Sequence, residues 1–89
     1  MIKLIWDFGF KRAYKKKIKN NVDLKEKFWC IIKIFSEDPF HPKLKTHKLT
    51  GKLKGLYAIR VSYDYRVIFK FMNKDEVLLI DIGTHDEVY

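Results

Sequence analysis

Three segments near the C-terminus decide the fold of this chain: GLYAIRV at residues 55–61, DYRVIF at residues 64–69 and IGTHDEVY at residues 82–89. In the first two segments apolar residues fall at every second position, which is typical of strands with one buried face. A third apolar run, VLLI at residues 77–80, indicates a strand that is buried on both faces. These segments predict a three-stranded antiparallel meander that carries polar residues at its ends.

The parity of the turn around Tyr63 decides where two arginines point. Ile59 and Val67 are expected to face the core. In that case Arg60 and Arg66 can share the opposite face only if this turn contains an odd number of residues. Paired arginines on one sheet face would form a cationic surface. The alternative is that both are solvated side chains on an exposed face.

The N-terminal part predicts a short strand over residues 2–6 and then a helix. Asp7 is a suitable cap for this helix, in which Phe10, Tyr14 and Ile18 form one apolar stripe surrounded by basic residues.

A second helix is predicted to begin at a cap on Asp23 and to end before residues 38–39. Its apolar face consists of Leu24, Phe28, Ile31 or Ile32, and Phe35. The predicted fold is therefore α+β: a small antiparallel sheet, formed by the N-terminal strand and the meander, packs against an N-terminal helical hairpin.

The 89 residues suffice for a single domain spanning 1–89, and 47% of them are hydrophobic, enough for one core. No run approaches the roughly 20 apolar residues of a membrane span, and residues 1–20 do not resemble a signal peptide. We therefore expect a cytoplasmic protein without membrane contact. Cys30, the only cysteine, is expected in the core between apolar neighbours.

The net charge of +8 is unevenly distributed: residues 1–54 carry +10 and residues 55–89 carry −2. Clustered ammonium groups attract polyanions such as RNA, because binding neutralises phosphates and releases counterions. A basic surface also keeps a protein soluble, so charge alone leaves both interpretations open.

Three short motifs in the C-terminal half carry a family resemblance: HKLTG at residues 47–51, DYR at residues 64–66, and GTH at residues 83–85 with an aromatic residue four positions later. In this order and spacing they resemble the RelE/YafQ superfamily, toxins of type II toxin–antitoxin systems that cleave messenger RNA. The resemblance implies the same fold, with the first strand inserted into the sheet. It also implies cleavage of mRNA in the ribosome, with a cyclic phosphate or 3′-phosphate and a 5′-hydroxyl as products.

RNA cleavage by internal transesterification needs a base, an acid, and cations that stabilise the phosphorane. Histidine suits either proton transfer, and arginine can hold two phosphate oxygens with its planar fork. By resemblance, His85 takes an acid/base role at the end of the last strand, and His47 takes a catalytic role before a Leu-x-Gly segment. The alternative for both is an ordinary histidine hydrogen-bonded to backbone.

The resemblance also gives roles to residues of the meander. Arg66 corresponds to a phosphate-binding arginine, and Arg60 stands where related toxins have a lysine or a histidine. This departure keeps a cation but removes a possible base, so proton transfer depends more on the two histidines. Asp64 matches an aspartate that could orient an imidazole or transfer protons, although aspartate is also favoured in turns.

Tyr89 corresponds to an aromatic residue that stacks on a base or helps to activate the 2′-oxygen, and stacking is the favoured role because a phenol is a weak base. The alternative is a packing cap on the sheet edge. Five lysines alternate with other residues along the preceding loop and could follow an RNA backbone or face solvent: Lys43, Lys45, Lys48, Lys52 and Lys54.

We expect no metal and no cofactor, because His41, His47 and His85 lack the close ligand pair of a tetrahedral zinc site. The implied partners are an acidic antitoxin, mRNA and the ribosome. Two other functions remain open: a ParE-like toxin that binds DNA gyrase, and a non-catalytic RNA-binding module.

Overall fold

The computed structural model describes all 89 residues and has the predicted α+β fold. Two short 3₁₀ turns, Pro42–Leu44 and Gly51–Leu53, interrupt the loop before the meander. The helices and strands are, in chain order, β1 (Lys3–Trp6), α1 (Phe8–Lys17), α2 (Val22–Glu37), β2 (His47–Lys48), β3 (Tyr57–Arg60), β4 (Tyr65–Asn73), β5 (Glu76–Thr84) and α3 (His85–Val88).

The sheet has five strands in the order β1-β5-β4-β3-β2. Strands β3, β4 and β5 form the predicted antiparallel meander, but β1 lies at the edge, parallel to β5, and is not inserted between strands. Tight turns force neighbouring strands to be antiparallel, whereas the long connection from β1 to β5, which contains the helical hairpin and strands β2 to β4, leaves either direction possible. The two-residue β2 was not predicted, because the basic loop shows no strand period.

Side-chain caps begin both long helices. Asp7 accepts a hydrogen bond from the backbone N–H of Gly9 (3.0 Å), as predicted for α1. The predicted cap of α2 is wrong: Asn21, not Asp23, accepts a hydrogen bond from the Leu24 N–H (3.1 Å). Asp23 lies inside the first turn, where its negative charge is still favourable near the positive end of the helix.

The core lies between the helices and one face of the sheet. Phe10, Phe28, Phe35 and Phe69 are fully buried in it, and each contributes roughly 1.5–3 kcal/mol by leaving water. The prediction for Cys30 is wrong, because this residue is exposed. Two helix positions after Phe28, its side chain projects from the opposite side of α2.

A β-bulge near the middle of β5 changes which residues face the core. Leu79 pairs with Phe69 and Asp81 pairs with Ile68, so Ile80 is an extra residue. The alternation therefore shifts, and Leu79 and Ile82, three positions apart, are both fully buried. The expected burial of residues 77–80 on both faces is not observed, since Leu78 and Ile80 are only half-buried.

The turn between β3 and β4 has the odd length that the arginine pair requires. The Val61 N–H donates to the Tyr65 carbonyl (3.0 Å), which leaves three residues in the turn, and Arg60 pairs with Arg66. Both arginines therefore lie on the outer sheet face, opposite the helices. His47 pairs with Ala58 and belongs to the same face.

No helix combines the length and the apolar composition that crossing a bilayer requires.

Candidate active site

A cleft of about 550 Å³ joins two segments that are far apart in the sequence. One wall is formed by residues 47–53 and the other by α3 and the residue that follows it. The lining residues are His47, Lys48, Leu49, Thr50, Lys52, Leu53, His85 and Tyr89. The structure thus brings together both predicted catalytic histidines and the predicted aromatic residue.

His47 is held in one tautomer by the backbone. Its Nδ1 lies 2.9 Å from the carbonyl oxygen of Lys45, and a carbonyl can only accept, so Nδ1 carries the proton. Lys45 adopts a left-handed conformation (φ 53°) at the end of the preceding 3₁₀ turn. In the neutral ring the other nitrogen, Nε2, is consequently an acceptor that can take a proton.

His85 and Tyr89 lie one turn apart on the C-terminal helical segment. Their rings meet edge to face with centroids 4.5 Å apart. The His85 side chain is 59% exposed, and its Nδ1 is 3.5 Å from the Asp86 carboxylate, at the outer limit of a hydrogen bond. Its ring is therefore accessible from solvent at the end of the sheet.

The Tyr89 hydroxyl is expected to stay protonated at neutral pH. Burial raises its pKa above the ordinary value of 10.0, and the positive charge of Arg66 opposes this shift only in part. A phenol with a raised pKa can donate a hydrogen bond or stack through its ring, but it is a poor base. This property favours stacking or positioning.

Arg60 and Arg66 lie beside this cleft without lining it. The Nη1 of Arg66 is 3.1–3.2 Å from the carbonyl oxygens of Ser62, Tyr63 and Tyr65, so one end of the guanidinium holds the turn. The Nε of Arg60 lies 3.4 Å from the same Ser62 oxygen. The two cations therefore converge at the turn.

Asp64 does not line the cleft of the two histidines. It lines a separate cleft between the β3–β4 turn and the start of α2, lined also by Asn21 and Lys27. Its backbone carbonyl accepts a hydrogen bond from the His85 N–H (3.1 Å). Asp64 thus contacts the site through its main chain, which fixes the start of α3.

The five candidate RNA-binding lysines are all exposed, and three of them line clefts. Lys48 and Lys52 line the cleft with the histidines. Lys48 and Lys54 also line an adjoining cleft of about 470 Å³ formed by residues 48–57. Lys43 and Lys45 line neither.

The sequence interpretation missed the residues that hold α3 against the sheet. Thr84 and Glu87 form a capping box: the Glu87 N–H donates to the Thr84 hydroxyl (3.3 Å), and the Thr84 N–H donates to the Glu87 carboxylate (2.8 Å). A T-x-x-E pattern is a readable signal of a helix start, and it was present at residues 84–87.

Lys17, at the end of α1, connects this helix to the rest of the fold. Its Nζ donates to the Ile82 carbonyl (3.2 Å) and lies 3.5 Å from the Glu87 carboxylate. A Cβ on Gly83 would come within 2.8 Å of this Nζ and 2.9 Å of the Glu87 oxygen, so a larger residue there would displace the ends of both side chains.

The hydrogen bond from the Thr84 backbone, together with Lys17, lowers the pKa of Glu87 below its ordinary value of 4.5, although partial desolvation opposes the shift. Because the pKa of Glu87 is lower in the folded protein, the contribution of its carboxylate to the stability of the fold is fully present at pH values above the ordinary pKa. It is lost as the pH falls through the lowered pKa.

No three side chains among the His, Cys, Asp and Glu residues are grouped closely enough to bind a metal ion.

Several solved structures with this fold are described as toxins. A metal-bound toxin from Helicobacter pylori is 26% identical, with a TM-score of 0.76 and complete coverage of both chains. YafQ from E. coli strain BL21(DE3) is 17% identical (TM-score 0.76; 100% of this chain, 99% of that one). The YoeB–YefM complex from Staphylococcus aureus contains a chain that is also 17% identical (TM-score 0.76; 96% and 98%).

The fold and the cleft therefore place the protein among small α+β toxins of this structural class. Residues 3–89 match the model of a family described as "Bacterial toxin of type II toxin-antitoxin system, YafQ". The chain belongs to this family. No curated protein sequence matches it.

Proposed function

We propose that this toxin is an endoribonuclease that cleaves mRNA on the ribosome without a metal ion. The observation that carries the proposal is the shared cleft of His47, His85 and Tyr89, with Lys48 and Lys52 on its wall. Two imidazoles facing one cleft lined by cations supply the groups that transesterification of RNA needs. The cytoplasm, where mRNA is translated, is the corresponding site of action.

The two histidines divide the proton transfers. Nε2 of His47 takes the proton of the ribose 2′-hydroxyl, since Nδ1 is already bonded to the Lys45 carbonyl. The 2′-oxygen then attacks phosphorus, and the bond from phosphorus to the 5′-oxygen breaks. Protonated His85 gives its proton to this departing oxygen, which leaves a 2′,3′-cyclic phosphate and a 5′-hydroxyl.

Cations stabilise the extra negative charge of the phosphorane. Arg66 is the main candidate, because its charge reaches the Tyr89 hydroxyl inside the cleft, and Arg60 stands beside it. One end of the Arg66 guanidinium holds the turn, and the other is directed to a phosphate. Asp64 acts by fixing the His85 backbone, and Lys43, Lys45 and Lys54 assist by attracting the RNA from outside the cleft.

Tyr89 is assigned to stacking on an RNA base. Replacement of Tyr89 by Ala should weaken substrate positioning by roughly 1–3 kcal/mol, the range for one stacked base. Tyr89→Phe should keep most of the cleavage rate, because the ring remains. Cleavage rates of the two variants, measured beside their melting temperatures, check this assignment. A Phe variant as slow as the Ala variant would give the role to the hydroxyl.

The Lys17–Glu87 pair should matter for cleavage although neither residue touches RNA. Lys17→Met removes the contacts to the Ile82 carbonyl and to Glu87, so α3 should shift and the rate should fall roughly 10- to 100-fold. Lys17→Arg should restore most of the rate. Lys16→Met, on the same helix and exposed, serves as the control. Equal rates in both Met variants would mean that the capping box alone positions α3.

The proposed regulator is an acidic antitoxin protein. The S. aureus YoeB–YefM complex supports a protein partner for this class, and the net charge of +8 favours an acidic one. Binding over the basic surface would neutralise it and close the cleft.

A cleavage assay tests the proposed function. Ribosomes programmed with a defined mRNA are incubated with the toxin in magnesium-containing buffer, because intact ribosomes require magnesium. Free RNA is tested with magnesium and with EDTA, and cleavage of free RNA in EDTA would show independence of a metal ion. Cuts with a 5′-hydroxyl end are expected. A parallel supercoiling assay with DNA gyrase tests the alternative of a gyrase-binding toxin. Gyrase inhibition without RNA cuts would support that alternative. RNA binding without cuts or gyrase inhibition would leave only a binding module.

A further inference from the structure

Three aromatic side chains form a second surface, remote from the cleft, that the proposed reaction does not use. Trp6 of β1, Tyr14 of α1 and Trp29 of α2 meet where the helical hairpin passes the edge of the sheet. The Trp29 indole N–H donates to the Tyr14 hydroxyl (3.0 Å), and the rings of Trp6 and Trp29 stack with centroids 6.0 Å apart. Trp29 is nevertheless 47% exposed, which is unusual for the largest apolar side chain.

Four lysines surround these rings: Lys11, Lys15, Lys19 and Lys25. All four are exposed, and none takes part in the three ion pairs of the chain. Two clefts, of about 410 and 750 Å³, open on either side of Lys19 and Lys25. We call the three rings and four lysines the tryptophan face.

We propose that the tryptophan face binds single-stranded RNA, with a base stacked on the outer side of Trp29 and phosphates held by the lysines. Trp6 covers one side of the Trp29 ring and the hydrogen bond to Tyr14 fixes its orientation, so the exposed side is a preformed stacking platform. Aromatic platforms flanked by cations bind single strands without sequence preference. Lys11, Lys15 and Lys19 follow one another at four-residue steps, roughly 6 Å apart along α1 and its end.

The chemistry of the face favours RNA over an acidic polypeptide. A bound peptide normally finds backbone hydrogen-bond partners or a deep apolar groove. Here the surrounding backbone belongs to two helices and the short turn between them, and the indole N–H of Trp29 is already used by Tyr14. Besides the rings and four ammonium groups, the polar side-chain groups that line the two clefts are the Asn20 amide and the Glu26 carboxylate. The rings and the excess of cations match bases and phosphates.

The face is separate from the candidate active site. Trp6 lies on β1 and His47 on β2, the two opposite edges of the five-stranded sheet, about four interstrand spacings or roughly 19 Å apart. The two surfaces therefore contact different segments of RNA. The inference does not depend on cleavage, and binding can be measured with RNA that cannot be cut.

Intrinsic fluorescence gives a direct test, because the only two tryptophans of the chain both lie on this face. A 2′-O-methyl oligoribonucleotide of about 12 nucleotides, within the span of known single-strand sites, lacks the nucleophile for cleavage. Its addition should quench the fluorescence in a saturable way. Absence of quenching at concentrations where a labelled oligonucleotide is bound would overturn the proposal.

Variants separate stacking from charge, with affinity measured by anisotropy of the labelled oligonucleotide. Trp29→Ala should weaken binding roughly 5- to 150-fold, the equivalent of one stacked base. Lys15→Gln with Lys19→Gln should reduce the salt slope by roughly 1.4, since each lost phosphate contact removes about 0.7. The charge-matched control, Lys70→Gln with Lys74→Gln, lies at the far end of β4 and should keep the slope.

The lysine variants keep the test valid if Trp29→Ala unfolds, because their side chains are exposed and make no ion pair. An equal decrease of the salt slope in both double lysine variants would mean that the RNA responds only to overall charge, and it would overturn the proposal. Polyglutamate is the competing ligand. Quenching by polyglutamate at the same charge concentration would instead assign the face to an acidic protein partner.

Discussion

His85→Ala should abolish most mRNA cleavage while the protein stays folded. The side chain is 59% exposed and contacts the Tyr89 ring and the exposed Asp86, so its removal leaves no core cavity. Thr84 still caps α3, and alanine is a good helix former. Loss of one acid/base group typically costs about 10²- to 10⁴-fold. Single-turnover cleavage of programmed ribosomes, with a melting curve for each protein, measures both effects.

His41→Ala is the matched control for this experiment. His41 is the third histidine, and its Nδ1 accepts a hydrogen bond from the Lys43 N–H (3.1 Å) outside the cleft. The His41→Ala variant should cleave at the wild-type rate. Wild-type rates in soluble His85→Ala protein would remove this residue from the mechanism.

Arg66→Lys should greatly slow cleavage although the charge is retained. One ammonium can replace Nη1 in its contacts with the turn carbonyls, so the melting temperature should change little. It cannot reproduce the planar fork that holds two phosphate oxygens. Removal of one preorganised donor to the transition state typically costs about 10²- to 10³-fold in rate.

Arg60→Lys is the comparison, because the two arginines are paired across β3 and β4 on the same face. The Arg60→Lys variant should be impaired less, because lysine is one of the residues at this position in the toxins that the sequence resembles. If both Lys variants retained full activity at unchanged melting temperature, neither arginine would bind the scissile phosphate through two nitrogens. If Arg66→Lys lowered the melting temperature by as much as Arg66→Ala, its main role would be to hold the turn.

Much of the fold could be predicted from the sequence because the signals are local. Apolar residues at every second position of the C-terminal segments predict strands with one buried face. The four-residue spacing of Phe10, Tyr14 and Ile18 predicts one apolar side of a helix. The parity argument stated which turn length would pair Arg60 with Arg66, but only the structure showed that the turn has this odd length. The signals failed where two neighbouring residues competed for one role, as with the cap at Asn21 and Asp23.

The candidate site residues were identified from short motifs. A motif indicates which residues matter but not where they lie relative to one another in the folded protein. The sequence drew attention to His47 and His85, yet nothing local says that the two share a cleft or that Asp64 lines another. The capping box at residues 84–87 was readable in the sequence, whereas its link to Lys17 was not. That link spans 65 residues between Lys17 and Ile82.

The sequence by itself determined β1, the two long helices and the three meander strands, together with their apolar faces. It also determined the concentration of positive charge in the N-terminal part and the identity of the candidate proton carriers. Only the tertiary structure decided the direction of β1, the bulge at Ile80, the carbonyl contacts of Arg66 and the meeting of residues 47–53 with α3. The physical reason is that side-chain period and backbone preference act between near neighbours. Contacts between distant segments depend instead on how all the apolar faces pack at once, and no single segment encodes that arrangement.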